Sequence, residues 1–204
     1  MIIHWLPLLC GLFFGLIPPR LLINSECRYL SCEGLWSRVV TREKSNQRRR
    51  RWWKLPIVWI DPVRGFVTAM LITTAFEVVD KPTALQKLAP VAATFLTLLV
   101  VLWIQCRGRN TDRETLSPSA FLAGLMLGML PPVVALSAIV IGITTAIAMT
   151  SFMAGYVVAT LTTAVIGYVF LGRSPWLAAY TILVASPLLI NWLRRTQLVM
   201  PVRC

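Results

Sequence analysis

Gln47–Gly65 reads Gln-Arg-Arg-Arg-Arg-Trp-Trp-Lys-Leu-Pro-Ile-Val-Trp-Ile-Asp-Pro-Val-Arg-Gly, and it decides the architecture. Four consecutive arginines, Arg48 to Arg51, pass through Trp52, Trp53 and Lys54 into an apolar segment carrying one acid, Asp61, and one base, Arg64. Basic residues beside a hydrophobic span resist translocation, and paired tryptophans favour the headgroup layer of a bilayer. The run therefore marks a cytoplasmic side, an interface and the approach to a helix. The remaining topology extends from it in both directions.

The composition agrees with a chain built for lipid. Hydrophobic residues make up 57% of the 204 and charged residues 14%, with mean hydropathy +0.71, too apolar for a soluble domain of this length. From Thr115 to Gly172 no Asp, Glu, Lys or Arg occurs, which leaves room for roughly three spans of about 20 residues each. The net charge of +12 raises nucleic acid as a partner. Yet 10 of the 20 Lys and Arg fall between Arg20 and Lys54, beside the spans. That placement fits topology and anionic headgroups and argues against nucleic acid.

In chain order, the first span is expected over Ile2–Ile23. Its start lacks Lys and Arg, and its apolar run passes directly into Pro18, Pro19 and Arg20 without a small-residue cleavage site. These features predict an uncleaved helix, with His4 as an interfacial polar residue. Asn24–Lys54 is a basic connector, either a solvated loop or a segment lying on the membrane through Leu30, Leu35, Trp36, Val39 and Val40. Asp61-Pro62 fits an N-cap followed by proline at the first helical position, so the second span is expected over Pro62–Val79, about 27 Å long, with Leu55–Ile60 as an interfacial approach.

Leu88–Ile104 gives the third span, followed by a loop holding Arg107, Arg109 and Arg113. The charge-free block divides at Pro131-Pro132 and near Thr150-Ser151 into about Pro118–Leu130, Pro132–Met149 and Ser151–Leu171. Arg173-Ser174-Pro175 breaks the chain again, and Trp176–Trp192 ends it before Arg194, Arg195 and Arg203. Gly124 and Gly128 form Gly-x-x-x-Gly, whose ordinary meaning is close helix packing.

The expected fold class is thus an all-α polytopic membrane protein. One transmembrane domain covers residues 1–204, with the cytoplasmic connector 24–54 inside it. About seven transmembrane helices place the amino terminus outside and the carboxyl terminus in the cytoplasm, since an even number of crossings must separate the loop at Arg107 from the basic tail. Four crossings satisfy this; two do if part of the central block is re-entrant.

Of the five cysteines, Cys10 falls in a span, while Cys27, Cys32, Cys106 and Cys204 fall on the expected cytoplasmic side, where free thiols are the rule. Only Cys27 and Cys32 are close, and without a second pair no metal site is expected. Asp61 and Arg64, three apart, share a helical face and can pair. They are read either as a cap and ion pair or, because ionisable groups at membrane depth suggest function, as part of an anionic-ligand site. Arg107, Arg109, Arg194 and Arg195 share the same expected face, suited to a phosphate or a lipid headgroup. A Gly-x-Ser-x-Gly, a His-paired nucleophile and a carboxylate cluster are all absent from the sequence.

Three stretches resemble the bacterial PlsY family of acyl-phosphate:glycerol-3-phosphate acyltransferases. Gly11–Ile23, Gly-Leu-Phe-Phe-Gly-Leu-Ile-Pro-Pro-Arg-Leu-Leu-Ile, is similar to its first helix. Asp61-Pro62-Val63-Arg64-Gly65 is similar to its Asp-x-x-Lys-Gly, and Ser119–Trp192 to its carboxyl half. The resemblance implies a seven-span fold in the bacterial inner membrane and a role in phospholipid synthesis. The reaction would be acyl transfer from acyl phosphate to glycerol 3-phosphate, with membrane lipids around it and no cofactor. It puts Arg64, Arg107 and Arg109 forward for phosphate binding, with Ser31 beside them, and leaves the catalytic residues unassigned. The family's glycine-rich first loop corresponds here to Ser31-Cys32-Glu33-Gly34 and Ser37-Arg38, and its Gly-Gly-Lys-Gly to Arg107-Gly108-Arg109. Its loop histidines have no counterpart. Phosphate cradles rely on backbone N–H groups left open by glycine. The alternative expectation is therefore a non-catalytic relative that binds lipid or a partner; a small transporter ranks third, as no inverted repeat is visible.

Overall fold

The computed structural model describes residues 2–17, 28–30, 56–77, 84–106, 114–194 and 197–203. Among them lie seven helices: α1 (Trp5–Leu16), α2 (Pro56–Thr74), α3 (Ala84–Gln105), α4 (Ser119–Met129), α5 (Pro132–Ala148), α6 (Phe152–Leu171) and α7 (Pro175–Arg194). Stretches within α3 (Lys87–Gln105), α6 and α7 are long and apolar enough to cross a membrane, whereas α1, α4 and α5 are apolar but shorter. The expected all-α architecture holds in its main part, with two small sheets added at the helix ends.

Local chemistry explains the breaks. Pro132 opens α5 at a position where its missing N–H removes no helical bond. α5 closes with paired bonds from Thr150 N to Ile147 O and from Ser151 N to Ala146 O, with Thr150 at φ 50°. This is the Schellman arrangement, built here on a β-branched residue where glycine is usual. Ser151 then caps α6 by accepting from Ala154 N. Gly172, at φ 60°, ends that helix.

The expected boundaries of the first two helices move, the second ending at Thr74 rather than Val79. The first helix covers Trp5–Leu16 rather than Ile2–Ile23, and residues 18–27 lie outside those described. The second starts at Pro56, so most of the expected interfacial approach is already helical and Pro62 sits inside the helix. Asp61 is consequently not an N-cap. Membrane helices tolerate an interior proline because surrounding groups re-satisfy the freed carbonyl.

Contacts fix the direction of each helix. α1 runs against α2, with His4 N bonding Ala75 O at one end and Arg64 bonding Ile17 O at the other. Gly15 of α1 also faces Val101 of α3. α4 lies along α2 in the same direction, Gly124 facing Pro62 and Gly128 facing Ala69. α5 and α6 are antiparallel, pairing Gly142 with Ala159 and Gly155 with Ala146. The end of α7 returns to the end of α3, where the Arg194 guanidinium lies 4.9 Å from the Trp103 ring. The seven helices therefore alternate in direction.

Each end of the bundle has its own small sheet. At the end that holds the start of α1, β1 (Ile2–Ile3) pairs antiparallel with β3 (Phe76–Glu77). At the other end β5 (Gln197–Arg203) lies between β2 (Arg28–Leu30), antiparallel, and β4 (Glu114–Leu116), parallel.

The interior is close-packed around Ile72, Leu98, Leu102, Phe121 and Leu125, with a second cluster about Val134, Ala138 and Val184. Small residues make the helix contacts. A Cβ on Gly65 would strike the Phe121 carbonyl oxygen, and one on Gly124 the Pro62 carbonyl oxygen. α2 and α4 thus touch backbone to backbone, which is how Gly-x-x-x-Gly works in lipid, where packing and weak polar contacts replace the hydrophobic effect between helices. The outer surface is the apolar one: Val140, Ile143, Leu161, Val165, Val169, Leu189 and Leu193 are all exposed.

Candidate functional site: a buried arginine at the end of the first helix

A helix leaves its last carbonyls without intrahelical donors, and the partial negative charge there favours a cation. α1 meets this requirement with side chains from two other helices. Arg64 of α2 donates from Nη1 to Ile17 O at 2.7 Å and from Nη2 to Gln105 Oε1 at 3.1 Å. Gln105, the last residue of α3, donates from Nε2 to the carbonyl oxygens of Gly15 and, at 3.0 Å, Ile17. Asp61 Oδ1 lies 3.2 Å from Arg64 Nη2, one helical turn away, and the guanidinium carbon sits 5.0 Å from the Phe121 ring centroid.

The cluster is buried: Arg64 is 5% and Gln105 1% exposed. The planar fork of arginine suits it, since one group can meet a carbonyl, an amide oxygen and a carboxylate together. Gly15 makes the arrangement possible, because a side chain there would push into Thr68 and Val101, and Gly65 lets α4 bring Phe121 over the guanidinium. Polar atoms remain to spare. Arg64 Nε, Thr68 Oγ1 and, on α3, Thr94 Oγ1 are buried without a hydrogen bond among the described residues, and Asp61 Oδ1 has only its ion pair with Arg64.

Of the residues singled out from the sequence, Asp61 and Arg64 are brought together. Ser31, Arg107 and Arg109 lie outside the described residues, as do Cys27, Cys32 and Cys204. Arg64 as a phosphate ligand would have to leave three protein partners; in the structure it closes the end of α1. Gln105 is the member that sequence reasoning missed. Its signal was available: a primary amide that follows the apolar run Leu98–Ile104 at the end of a helix must find partners. His4, expected only as an interfacial residue, places Nε2 2.9 Å from Glu77 Oε2 at the opposite end of the bundle. Cys10 and Cys106 are free thiols, the first exposed and the second buried.

Comparison of the chain with family models, with curated proteins and with solved structures finds no match in any of the three.

Proposed function

We propose that this chain is a seven-span protein of the bacterial inner membrane, with the amino terminus outside, the carboxyl terminus in the cytoplasm and a PlsY-like fold. Its chemistry is placed at the cytoplasmic end, as acyl transfer from acyl phosphate to glycerol 3-phosphate. One observation carries the choice of that end: β5 pairs with both β2 and β4. It thereby draws together the first connector, the segment after α3 and the tail, which contain most of the basic residues. Ser31 directly follows β2, and Arg107 and Arg109 lie between α3 and β4. The two loops that the resemblance assigns to phosphate therefore start from one small sheet.

In the proposed step a glycerol hydroxyl oxygen forms an ester bond with the acyl carbon. The bond from that carbon to the phosphate oxygen breaks, inorganic phosphate leaves, and the hydroxyl proton is released to a base or to water. Arg107 and Arg109 would hold the departing phosphate by charge-assisted hydrogen bonds. Arg64 contributes by fixing α1 against α2 and α3.

A second reading is a non-catalytic relative that binds lipid or a partner at the same surface. The engagement of Arg64 favours it, because the one base within a helix of the PlsY-like motif is already occupied by protein groups. The deciding assay supplies acyl phosphate and labelled glycerol 3-phosphate to membranes holding the inserted protein. Acylated product above that of empty membranes supports the enzyme. Its absence, from protein shown to be folded, removes the enzyme and leaves the binding protein.

A further inference from the structure

The charge-free block continues past Gly172 with one interruption. Between Thr115 and Leu193 the only ionisable side chain of the Asp, Glu, Lys and Arg kinds is Arg173, in the turn joining α6 to α7. It is exposed, and no acidic residue among those described pairs with it. Topology does not call for it either. The alternation of helix direction puts this turn at the same end as β1 and β3, the end proposed to face outward, where positive residues are disfavoured.

What lies beside Arg173 gives it a purpose. A groove of about 320 Å³ begins at the turn and runs between the outer faces of α6 and α7. Ala164 and Tyr168 form one wall, and Ala178, Thr181 and Ile182 the other. From Ala164 to Gly172 it extends about 12 Å along the helix at 1.5 Å per residue. Small side chains make the trough, while Val165, Tyr168, Val169 and Ile182, all exposed, flank it and face outward. Gly172, at φ 60° with open space where its Cβ would be, leaves the mouth clear. The Ser174 hydroxyl accepts from Trp176 N, so the turn is held in shape by α7 itself.

We propose that this groove holds one acyl chain of an anionic phospholipid from the outer leaflet, with Arg173 on its headgroup phosphate. The trough is apolar along its length and cationic only at the end where a phosphate would lie, which is the charge order of a lipid. A lipid without a phosphate would fill the trough without using the arginine, a zwitterionic phospholipid offers its phosphate beside a competing ammonium, and a soluble anion would use the arginine without the trough. The proposal rests on the membrane reading above, but not on acyl transfer.

The test reconstitutes the full chain in nanodiscs of phosphatidylethanolamine containing a minority of phosphatidylglycerol with a photoactivatable acyl chain. After illumination, crosslinked peptides are mapped by mass spectrometry. The expected result is labelling concentrated on 164–182. Arg173→Gln should reduce it about fivefold, the change attributable to one basic residue at a charged lipid surface. Arg173→Lys should restore most of it, and Ala178→Trp, which fills the trough, should abolish it. Both positions are exposed, so the helical content and monodispersity of the variants should match the parent. Labelling spread evenly over all outer faces, or an Arg173→Gln variant labelled like the parent, overturns the proposal while leaving the membrane reading intact. A chain that takes no label anywhere and does not enter the nanodisc overturns both.

Discussion

Replacing Arg64 with methionine separates its structural duty from a ligand-binding one. The substitution keeps an unbranched apolar stem but removes the guanidinium, and with it the bonds to Ile17 O and Gln105 Oε1 and the pair with Asp61. Breaking a buried charged pair by deleting one partner costs about 3–5 kcal/mol, mostly because the other charge is left unpaired. The Asp61 side chain keeps 14% of its surface, and Gln105 still donates to Ile17 O, so the lower figure of about 3 kcal/mol applies. For a chain of this size that corresponds to a fall in Tm on the order of 10 °C. The measurement is thermal unfolding of the detergent-purified protein, followed by the survival of its monodisperse peak. Adding Asp61→Asn to Arg64→Met should recover part of the loss, since no charge is then stranded. The reasoning fails if Arg64→Met unfolds with the parent, or if it keeps its stability while losing acyl transfer or lipid binding. The first result would remove the structural duty, and the second would return Arg64 to the ligand.

Four further outcomes are expected. Gly124→Ala should lose about 3 kcal/mol or fail to give folded protein, because its Cβ meets the Pro62 backbone, which cannot yield as a side chain would; folded yield reads this directly. Thr150→Gly should raise stability by roughly 1 kcal/mol, seen as a higher Tm, by relieving the positive φ of a β-branched residue. Tyr156→Phe removes its 2.9 Å hydrogen bond to buried Ser117 and should destabilise by about 1–2 kcal/mol, with Ser117→Ala in addition costing little more. For topology, a reporter active only outside the cytoplasm should work when inserted at the Arg173 turn and be silent when fused after Arg203.

The helix breaks of the carboxyl half were legible because each is written in local chemistry. Pro131-Pro132, Thr150-Ser151 and Arg173-Ser174-Pro175 fall where α4, α5 and α6 end. The start of α2 was not legible, because Asp61-Pro62 has the form of a cap and first helical residue. What overrides that form is tertiary: the Asp61 carboxylate turns toward Arg64 instead of the backbone, and α4 packs on Pro62 and Gly65, holding the helix at the proline and beyond it. Gly124 and Gly128 announced close packing but not the partner, since the motif says only that something approaches. The candidate site was half visible. Spacing pairs Asp61 with Arg64, but Gln105 and the carbonyls of Gly15 and Ile17 lie far from them in sequence and meet only when three helices assemble. The small sheets were invisible: four of their strands have only two or three residues, and the seven-residue β5, Gln-Leu-Val-Met-Pro-Val-Arg, carries three apolar residues in a row and a proline instead of an alternating pattern.

The position of β5 between β2 and β4 also sets an order of events during biosynthesis. A chain emerges from its amino end, so β2 and β4 leave the ribosome well before the strand that joins them. Until α7 has been made, neither has its partner. The helical bundle can therefore be assembled while the end that carries this sheet is still open. Any activity housed there should switch on only after the last helix is in place, as a late event in maturation rather than a gradual one.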